Sequence, residues 1–364
     1  MYCGVLTRKE QTSMVRLAIL GTGGMANAQA AAFKSIAAVR LAACCDLNSE
    51  RARDFARRHA IPRVYADAAA LFAAGGIDAV SIVASDAAHK DLALCAAAHG
   101  IHVLCEKPLA TNTAEARTML RAVRKAGVLH MVNFSYRAAA ALYKAQALVA
   151  AGAIGELRHV EASYLQGWIS RTVWRTHDPI GPGGLWRMSA AQSNGDLGDL
   201  GVHIFDFMTF VAGDIADLSC RLASLPKGLP GNAYNGVKLD ANDAFSASVR
   251  FANGALGCVH SSRWATGHNN SIRLRVYGTN GGLVIDLDKD ARKLDGCLGK
   301  DVQTHTWRAI RCPAVPTIYQ RFIRSVRTGR QDKPDFEDGA RIQRYLDACL
   351  ASAAANRVVK IPAA

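Results

Sequence analysis

Short apolar runs alternate with stretches of helical periodicity through the first 135 residues. VRLAILG at 15–21 precedes a helical stretch from about Met25, and VRLAACCD at 39–46 precedes one through Glu50 to His59. AVSIVAS at 79–85 is followed by a helix around His89–His99, and HVLCEKP at 102–108 by one from Thr113 to Ala126. Strands that are apolar on both faces and joined by helices predict a parallel sheet covered on both sides. Beyond Gly152 the period changes. LRHVEASYLQG, DAFSASVRF, ALGCVHSSRW and IRLRVYG alternate apolar and polar positions, the mark of strands with one buried face. Asn253-Gly254 between two of them predicts a two-residue hairpin turn. One helix starting near Asp196 interrupts this half, and two more are expected at Tyr319–Thr328 and Gly339–Ala355. The pattern divides the chain into a disordered extension at 1–13, with Met14 as an alternative start, an α/β domain at 14–135 and an α+β domain at 136–364. The second domain is built on a large, mainly antiparallel open sheet.

Length and composition agree with two cores: 364 residues, 50% hydrophobic and 20% charged. No run approaches the roughly 20 apolar residues of a membrane span, and the first 13 residues lack the apolar centre of a secretion signal. The ten cysteines form no CxxC pair, so they read as reduced, mostly buried thiols of a cytoplasmic protein rather than as zinc or redox ligands. A net charge of +14 raises nucleic acid as a partner. The arginines, however, are spread along the chain, and Arg51, Arg53, Arg57 and Arg58 read as a solvated helix face. An anionic cofactor or substrate accounts for the charge equally well, and neither nucleic acid nor membrane is expected as a partner.

The first strand runs into GTGGMA, placing Gly21, Gly23 and Ala26 in the spacing G-x-G-x-x-A. Glycines there permit a tight turn and let a pyrophosphate approach backbone N–H groups at a helix N-terminus, where the dipole favours negative charge. Gly24 and Met25 belong to the same turn. The motif follows the first strand, opens a helix and is followed by Asp46 at the end of the second strand, the arrangement of a doubly wound Rossmann domain. A carboxylate at that place accepts from the adenosine ribose hydroxyls and repels a 2′-phosphate. The reading is therefore NAD, with NADP possible because Arg51 and Arg53 stand nearby.

Glu106-Lys107-Pro108 closes the strand HVLCEKP at the carboxyl edge of the parallel sheet, where ligands of such folds bind. With the glycine turn, with Ser85 and His89 after the fourth strand, with GDLGDLGVHIFD at 195–206 and with the closing PDFEDGARIQRYLDACLASA, the chain from Val15 to Pro362 resembles the Gfo/Idh/MocA family of oxidoreductases. The resemblance implies cofactor contacts from Ser85, His89, Glu106 and Lys107, and a Lys107-Pro108 peptide that is often cis. It also implies that Lys107 orients the reacting hydroxyl and stabilises developing alkoxide. His203 is implied as the general base or acid, Asp199 as the group that orients it or binds substrate, and Asp206 as a secondary polar contact. Asp199, His203 and Asp206 share one face of a regular helix. A capped helix with a satisfied histidine, and a metal site D-x-x-x-H-x-x-D, are the competing readings of the same letters; no second histidine cluster completes a metal shell. Two departures from the family pattern stand out: Ser85-Asp86-Ala87 replaces Thr-Pro-Asn, and Asn194-Gly195-Asp196 replaces a glycine triplet. The added acid reads either as a helix cap or as a partner for a polar substrate group.

Tyr164, Gln166, Trp168, Trp174 and Arg175 lie in one stretch, with Trp186-Arg187 following and Arg263-Trp264 as weaker candidates. Aromatic platforms interspersed with hydrogen-bond donors suit the faces of a pyranose or cyclitol ring, although core tryptophans explain the same letters. The expected activity is hydride transfer between nicotinamide and a secondary alcohol of a sugar, cyclitol or glycoside. The alternatives are keto-sugar reduction in the reverse direction, an NAD-dependent glycosidase and a non-catalytic sensor. A homodimer or homotetramer is expected, because an open sheet needs cover.

Overall fold

A computed structural model describes residues 14–170 and 184–362. The chain divides into two compact units: residues up to Ser135 together with Pro316–Ala340, and Tyr136–Val315 together with Arg341–Ala364.

In the first unit six parallel strands stand in the order β3-β2-β1-β4-β5-β6. They are β1 (Val15–Leu20), β2 (Val39–Cys45), β3 (Arg63–Tyr65), β4 (Ala79–Ile82), β5 (His102–Cys105) and β6 (His130–Val132). The reversal of order at β1/β4 makes the carboxyl ends of those strands the crevice of a doubly wound sheet. Five helices connect the strands: α1 (Gly24–Lys34), α2 (Ser49–His59), α3 (Ala68–Ala73), α4 (Asp86–Ala98) and α5 (Thr113–Ala126). Asn48, Asp67 and Asn112 cap α2, α3 and α5 by accepting from backbone N–H groups of the first turn. The helix α4 begins at Asp86, three residues before the expected start.

Residues 316–340 belong to this unit, whereas the sequence pattern assigned them to the second. The reason is hydrophobic. The helix Ile318–Thr328 delivers Ile318, Phe322 and Ile323 into the cluster of Leu17, Ile19, Phe33 and Leu104.

The second unit holds a nine-stranded sheet in the order β16-β15-β14-β13-β7-β12-β11-β8-β17. Its strands are β7 (Leu157–Leu165), β8 (Ile215–Ala223), β11 (Ala244–Phe251), β12 (Leu256–Ser262), β13 (Ser271–Gly278), β14 (Gly281–Asp286), β15 (Lys293–Leu298), β16 (Arg308–Arg311) and β17 (Val359–Lys360); β9 (Ala233–Tyr234) and β10 (Val237–Lys238) form a separate hairpin. Every neighbouring pair of the large sheet is antiparallel except β12 and β7, which are parallel. The alternation of Ala244–Phe251 survives as alternating burial, and the helices α6 (Ala140–Ala150) and α7 (Val202–Ala212) pack in the same unit. The β11–β12 turn is longer than the two residues expected. Ala252–Ala255 intervene, and of the Asn-Gly pair only Gly254 has positive φ, at +87°. Asn253 instead turns its amide on Ala212 and accepts from Ala255 N–H, so the loop is set by side-chain bonds.

Among the described residues no helix is long and apolar enough to cross a membrane.

Candidate active site

At the end of β1, Gly21 has φ +89°, and a Cβ there would stand 2.6 Å from the carbonyl oxygen of Val83. Only glycine fits. Gly23 precedes α1 and Gly24 is its first residue; a Cβ at either would meet nothing within 4 Å, so the helix N-terminus faces open space. Met25, one residue on, is half exposed. This is the cradle a pyrophosphate requires: a sharp turn, bare backbone and unsatisfied N–H groups.

Asp46 ends β2 buried, accepting from Thr22 N–H and Thr22 Oγ at 2.8 Å each and from Asn48 N–H at 2.9 Å. Arg51 adds two further bonds, from Nε at 3.1 Å and Nη2 at 2.7 Å. Arg51 is therefore a partner of the acid, not a free helix arginine as its position suggested; one turn of α2 brings it back over the strand end. Burial works to raise the Asp46 pKa, but the bonds from Arg51, Asn48 and Thr22 outweigh it and hold the carboxyl below its ordinary value. A cavity of about 230 Å³ opens beside this cluster, lined among others by Thr22, Asn48, Arg51 and Arg58.

Ser85 holds the position before α4. His89 is fully buried, with Nδ1 2.9 Å from the Pro108 carbonyl and Nε2 3.2 Å from that of Ala84. Both nitrogens face backbone carbonyl oxygens, so His89 stands between the loops after β4 and β5. Glu106 is likewise a hub. Its Oε1 accepts from Gln29 at 2.5 Å and Asn133 at 2.7 Å, and Oε2 from Lys107 N–H at 3.1 Å. The carboxylate ties α1, β5 and the end of β6 together and leaves Lys107, half-buried, at the strand edge. The Lys107-Pro108 peptide is cis.

In the second unit, the expected regular helix from Asp196 begins instead as a π-helical turn, Leu197–Gly201, before continuing as α7. Asp196 does not cap it. The residue is helical in φ and ψ and fully buried, and neither of its carboxylate oxygens accepts from an N–H group of the first turn. Its Oδ2 accepts from Ser261. Asp199 lies in the π turn, 3.2 Å from Arg263 Nη2 and 3.7 Å from Arg187 Nε.

His203, in the first turn of α7, is mostly buried with its ring edge-on to Tyr136, centroids 4.9 Å apart, and 6.2 Å from the Tyr164 ring. The two tyrosine hydroxyls are 2.6 Å apart. Tyr164 donates to Asn270 Oδ1 at 2.5 Å, Asn270 Nδ2 donates to Tyr136 at 2.7 Å, and Gln166 Nε2 donates to Asn270 Oδ1 at 2.8 Å. Burial, then the neighbouring Tyr136, pushes the Tyr164 pKa upward, so its hydroxyl stays protonated.

The structure therefore gathers His203, Tyr164 and Gln166, and adds Tyr136 and Asn270, which the sequence reading missed. Asn270 carries no motif. It is brought in by register, because Ser271 on β13 pairs with Leu165 on β7. Asp206 goes elsewhere: Arg137 donates to both of its oxygens at 2.8 and 2.6 Å in a buried pair, which removes it as a substrate contact and as a metal ligand. Trp168 packs on Ile169, Leu185, Met188 and Leu239 and lies under the Arg263 guanidinium, so it is largely a core residue. Trp174 and Arg175 lie outside the described residues.

Comparison with known proteins agrees with this anatomy. Residues 15–134 match the model described as "Oxidoreductase family, NAD-binding Rossmann fold", and residues 142–284 match the GFO/IDH/MocA C-terminal domain. Levoglucosan dehydrogenase of Pseudarthrobacter phenanthrenivorans is 26% identical over 87% of this chain and 88% of its own length. The NADP-dependent scyllo-inositol 2-dehydrogenase of Bacillus subtilis is 30% identical over 75% and 76%. A levoglucosan dehydrogenase structure holding NADH and levoglucosan superposes with a TM-score of 0.85 at 26% identity, covering 96% of this chain and all of that one. With both domains matched in order and the lysine, aspartate and histidine of the pattern present, the chain belongs to the Gfo/Idh/MocA family of oxidoreductases.

Proposed function

We propose that this chain is an NAD(P)-dependent dehydrogenase that oxidises a secondary hydroxyl of a sugar or cyclitol. The observation that carries the substrate class is a bonded set of hydroxyl and amide groups: Tyr136 and Tyr164, whose rings pack on His203, with Gln166 and Asn270 hydrogen-bonded to them. A polyhydroxylated ring offers matching donors and acceptors, and its apolar faces suit the tyrosine rings.

The residues at the end of β1 fit a dinucleotide, because the bare backbone of Gly23 and Gly24 leaves room for a pyrophosphate. Gly21, Gly23, Gly24 and Met25 would hold the phosphates, and Asp46 the adenosine ribose. Ser85 and Lys107 would flank the nicotinamide. Asp46 favours NAD, and Arg51 on the same carboxylate makes the exclusion of NADP incomplete. When bound, the nicotinamide takes or returns a hydride. Lys107 orients the reacting oxygen and stabilises negative charge on it; His203 takes its proton; Asp199, steadied by Arg187 and Arg263, sets the environment of that histidine.

Self-association through the exposed face of the nine-stranded sheet fits its open architecture. A cytoplasmic location fits the thiols, since all nine cysteines among the described residues are free.

The test is NADH absorbance on mixing the protein with NAD or NADP and a panel of sugars, cyclitols and glycosides, beside Lys107→Ala and His203→Ala. Turnover with one substrate class, lost in both variants, supports the reading. Hydrolysis of a glycoside without net NADH would replace it with a glycosidase, and tight cofactor binding with no chemistry in either direction would replace it with a sensor.

A further inference from the structure

The polar groups beside His203 close into a ring of hydrogen bonds. Tyr164 Oη donates to Asn270 Oδ1 at 2.5 Å, a length that suits O–H···O better than N–H···O, and Asn270 Nδ2 donates to Tyr136 Oη at 2.7 Å. A phenol has one proton, and that of Tyr164 is spent on Asn270. The 2.6 Å contact between the two tyrosine oxygens is therefore a bond that Tyr136 donates and Tyr164 accepts. Groups from the turn Ser135–Ala138, from β7 and from the residue ahead of β13 thus each donate to the next around a closed circuit.

What this ring can still offer a ligand is one lone pair. Tyr164 Oη gives its proton and accepts from Tyr136 and, at 3.2 Å, from Gln166 Nε2, so it is full. Asn270 Oδ1 accepts from Tyr164 and from Gln166 and is full as well. The second amide hydrogen of Asn270 lies trans to Oδ1 and points away from the ring, because the hydrogen cis to the oxygen is the one that reaches Tyr136. Tyr136 Oη accepts once and donates once, which leaves it a lone pair and no proton.

We propose that Tyr136 reads a second hydroxyl of the substrate, next to the one His203 deprotonates, by accepting a hydrogen bond from it, while Tyr164 and Asn270 fix the polarity of Tyr136 without touching substrate.

Tyr136 is half-buried, and its ring lies 4.9 Å from that of His203, so a group bonded to its oxygen stands close to the imidazole. Tyr164 is buried, and burial holds its proton in place, which keeps the sense of the ring. The class of substrate that follows is a polyol with a free hydroxyl on a carbon neighbouring the reacting one. An ether, a fluorine or a carboxylate at that place sets lone pair against lone pair and is refused. The proposal rests on the dehydrogenase reading for the identity of the reacting hydroxyl; the ring and its polarity are observable without turnover.

In full-length protein labelled with carbon-13 at tyrosine Cζ and dissolved in an equal mixture of light and heavy water, a slowly exchanging hydroxyl splits its Cζ signal in two. The signals of Tyr136 and Tyr164, identified by Tyr136→Phe and Tyr164→Phe, should both be split, and both should collapse to single lines in Asn270→Ala. A single line for either tyrosine in the wild type overturns the proposal. Calorimetric titration with NADH present then reads the polarity, with levoglucosan, D-glucose and myo-inositol as probes beside their monodeoxy and deoxyfluoro analogues. Fluorine accepts but has no proton to give. At one ring position the deoxy and deoxyfluoro analogues should both bind about tenfold to a hundredfold more weakly than the parent. Tyr136→Phe should abolish that difference. Tyr164→Phe removes the acceptor of the Tyr136 proton and frees it for a ligand, so there the deoxyfluoro analogue should bind more tightly than the deoxy one; should this variant fail to fold, Tyr136→Phe decides. A wild type that binds the deoxyfluoro analogue as well as the parent at every position, or that binds none of the three probes, overturns the proposal. A probe bound with the expected polarity but never oxidised sinks the dehydrogenase reading alone.

Discussion

Gly21 and Asp206 show how differently two motif residues can be constrained. At Gly21 a methyl group would meet the Val83 carbonyl at 2.6 Å, and the φ of +89° is itself unfavourable for any other residue. Gly21→Ala is expected to lower stability by about 2 kcal/mol and to abolish NADH binding measured by calorimetric titration. Asp206 is constrained by a charge instead. Its pair with Arg137 is almost wholly dry, so Asp206→Ala should cost about 3–5 kcal/mol in urea unfolding, with kcat per folded molecule little changed. A fall in turnover without a fall in stability would restore the secondary polar contact that the family resemblance implied. These cases mark where the letters inform and where they do not. The places of Gly21, Asp46, Lys107 and His203 in the fold were legible because each sits at a strand end or in a motif. Arg137 is 69 residues from Asp206, and Tyr136 is 134 from Asn270; only packing joins them.

Element by element, most helices announced themselves through periodicity, whereas Ala68–Ala73 and Ala140–Ala150 were not expected, and the misreadings of the others have local causes. The turn before α7 is π-helical where a regular helix was expected, and Asp196 ahead of it makes no capping bond. The helix Ile318–Thr328 was found within a residue of its true start, but its allegiance was not, because an amphipathic face does not say which core it will enter. A capping box fastens this helix: Thr317 Oγ accepts from Gln320 N–H at 3.2 Å, and Gln320 Oε1 accepts from Thr317 N–H at 2.9 Å. Thr317→Ala should lower the denaturation midpoint by an amount corresponding to about 1 kcal/mol. The effect should appear as loss of stability of the first unit, since Phe322 is buried in that core.

For the whole molecule, acid sensitivity should come from His130. Its Nδ1 accepts from Phe336 N–H at 3.2 Å, and its backbone is bound on both sides by Gln331, so protonation breaks the tie between β6 and the returning segment. Burial, the largest influence, lowers its pKa from 6.5 to about 4. A base depressed in the folded state contributes stability that is present above pH 6.5 and is lost as pH falls through 4, here roughly 3 kcal/mol. Thermal melts between pH 7 and pH 4 should show this loss, and His130→Gln should flatten it. The same returning segment bears on how the protein is made. Residues 316–340 complete the first unit only after residues 136–315 have been synthesised. The nascent chain therefore carries an unfinished nucleotide-binding core, short of the residues that pack on Phe33 and Leu17, until residues 316–340 have been made.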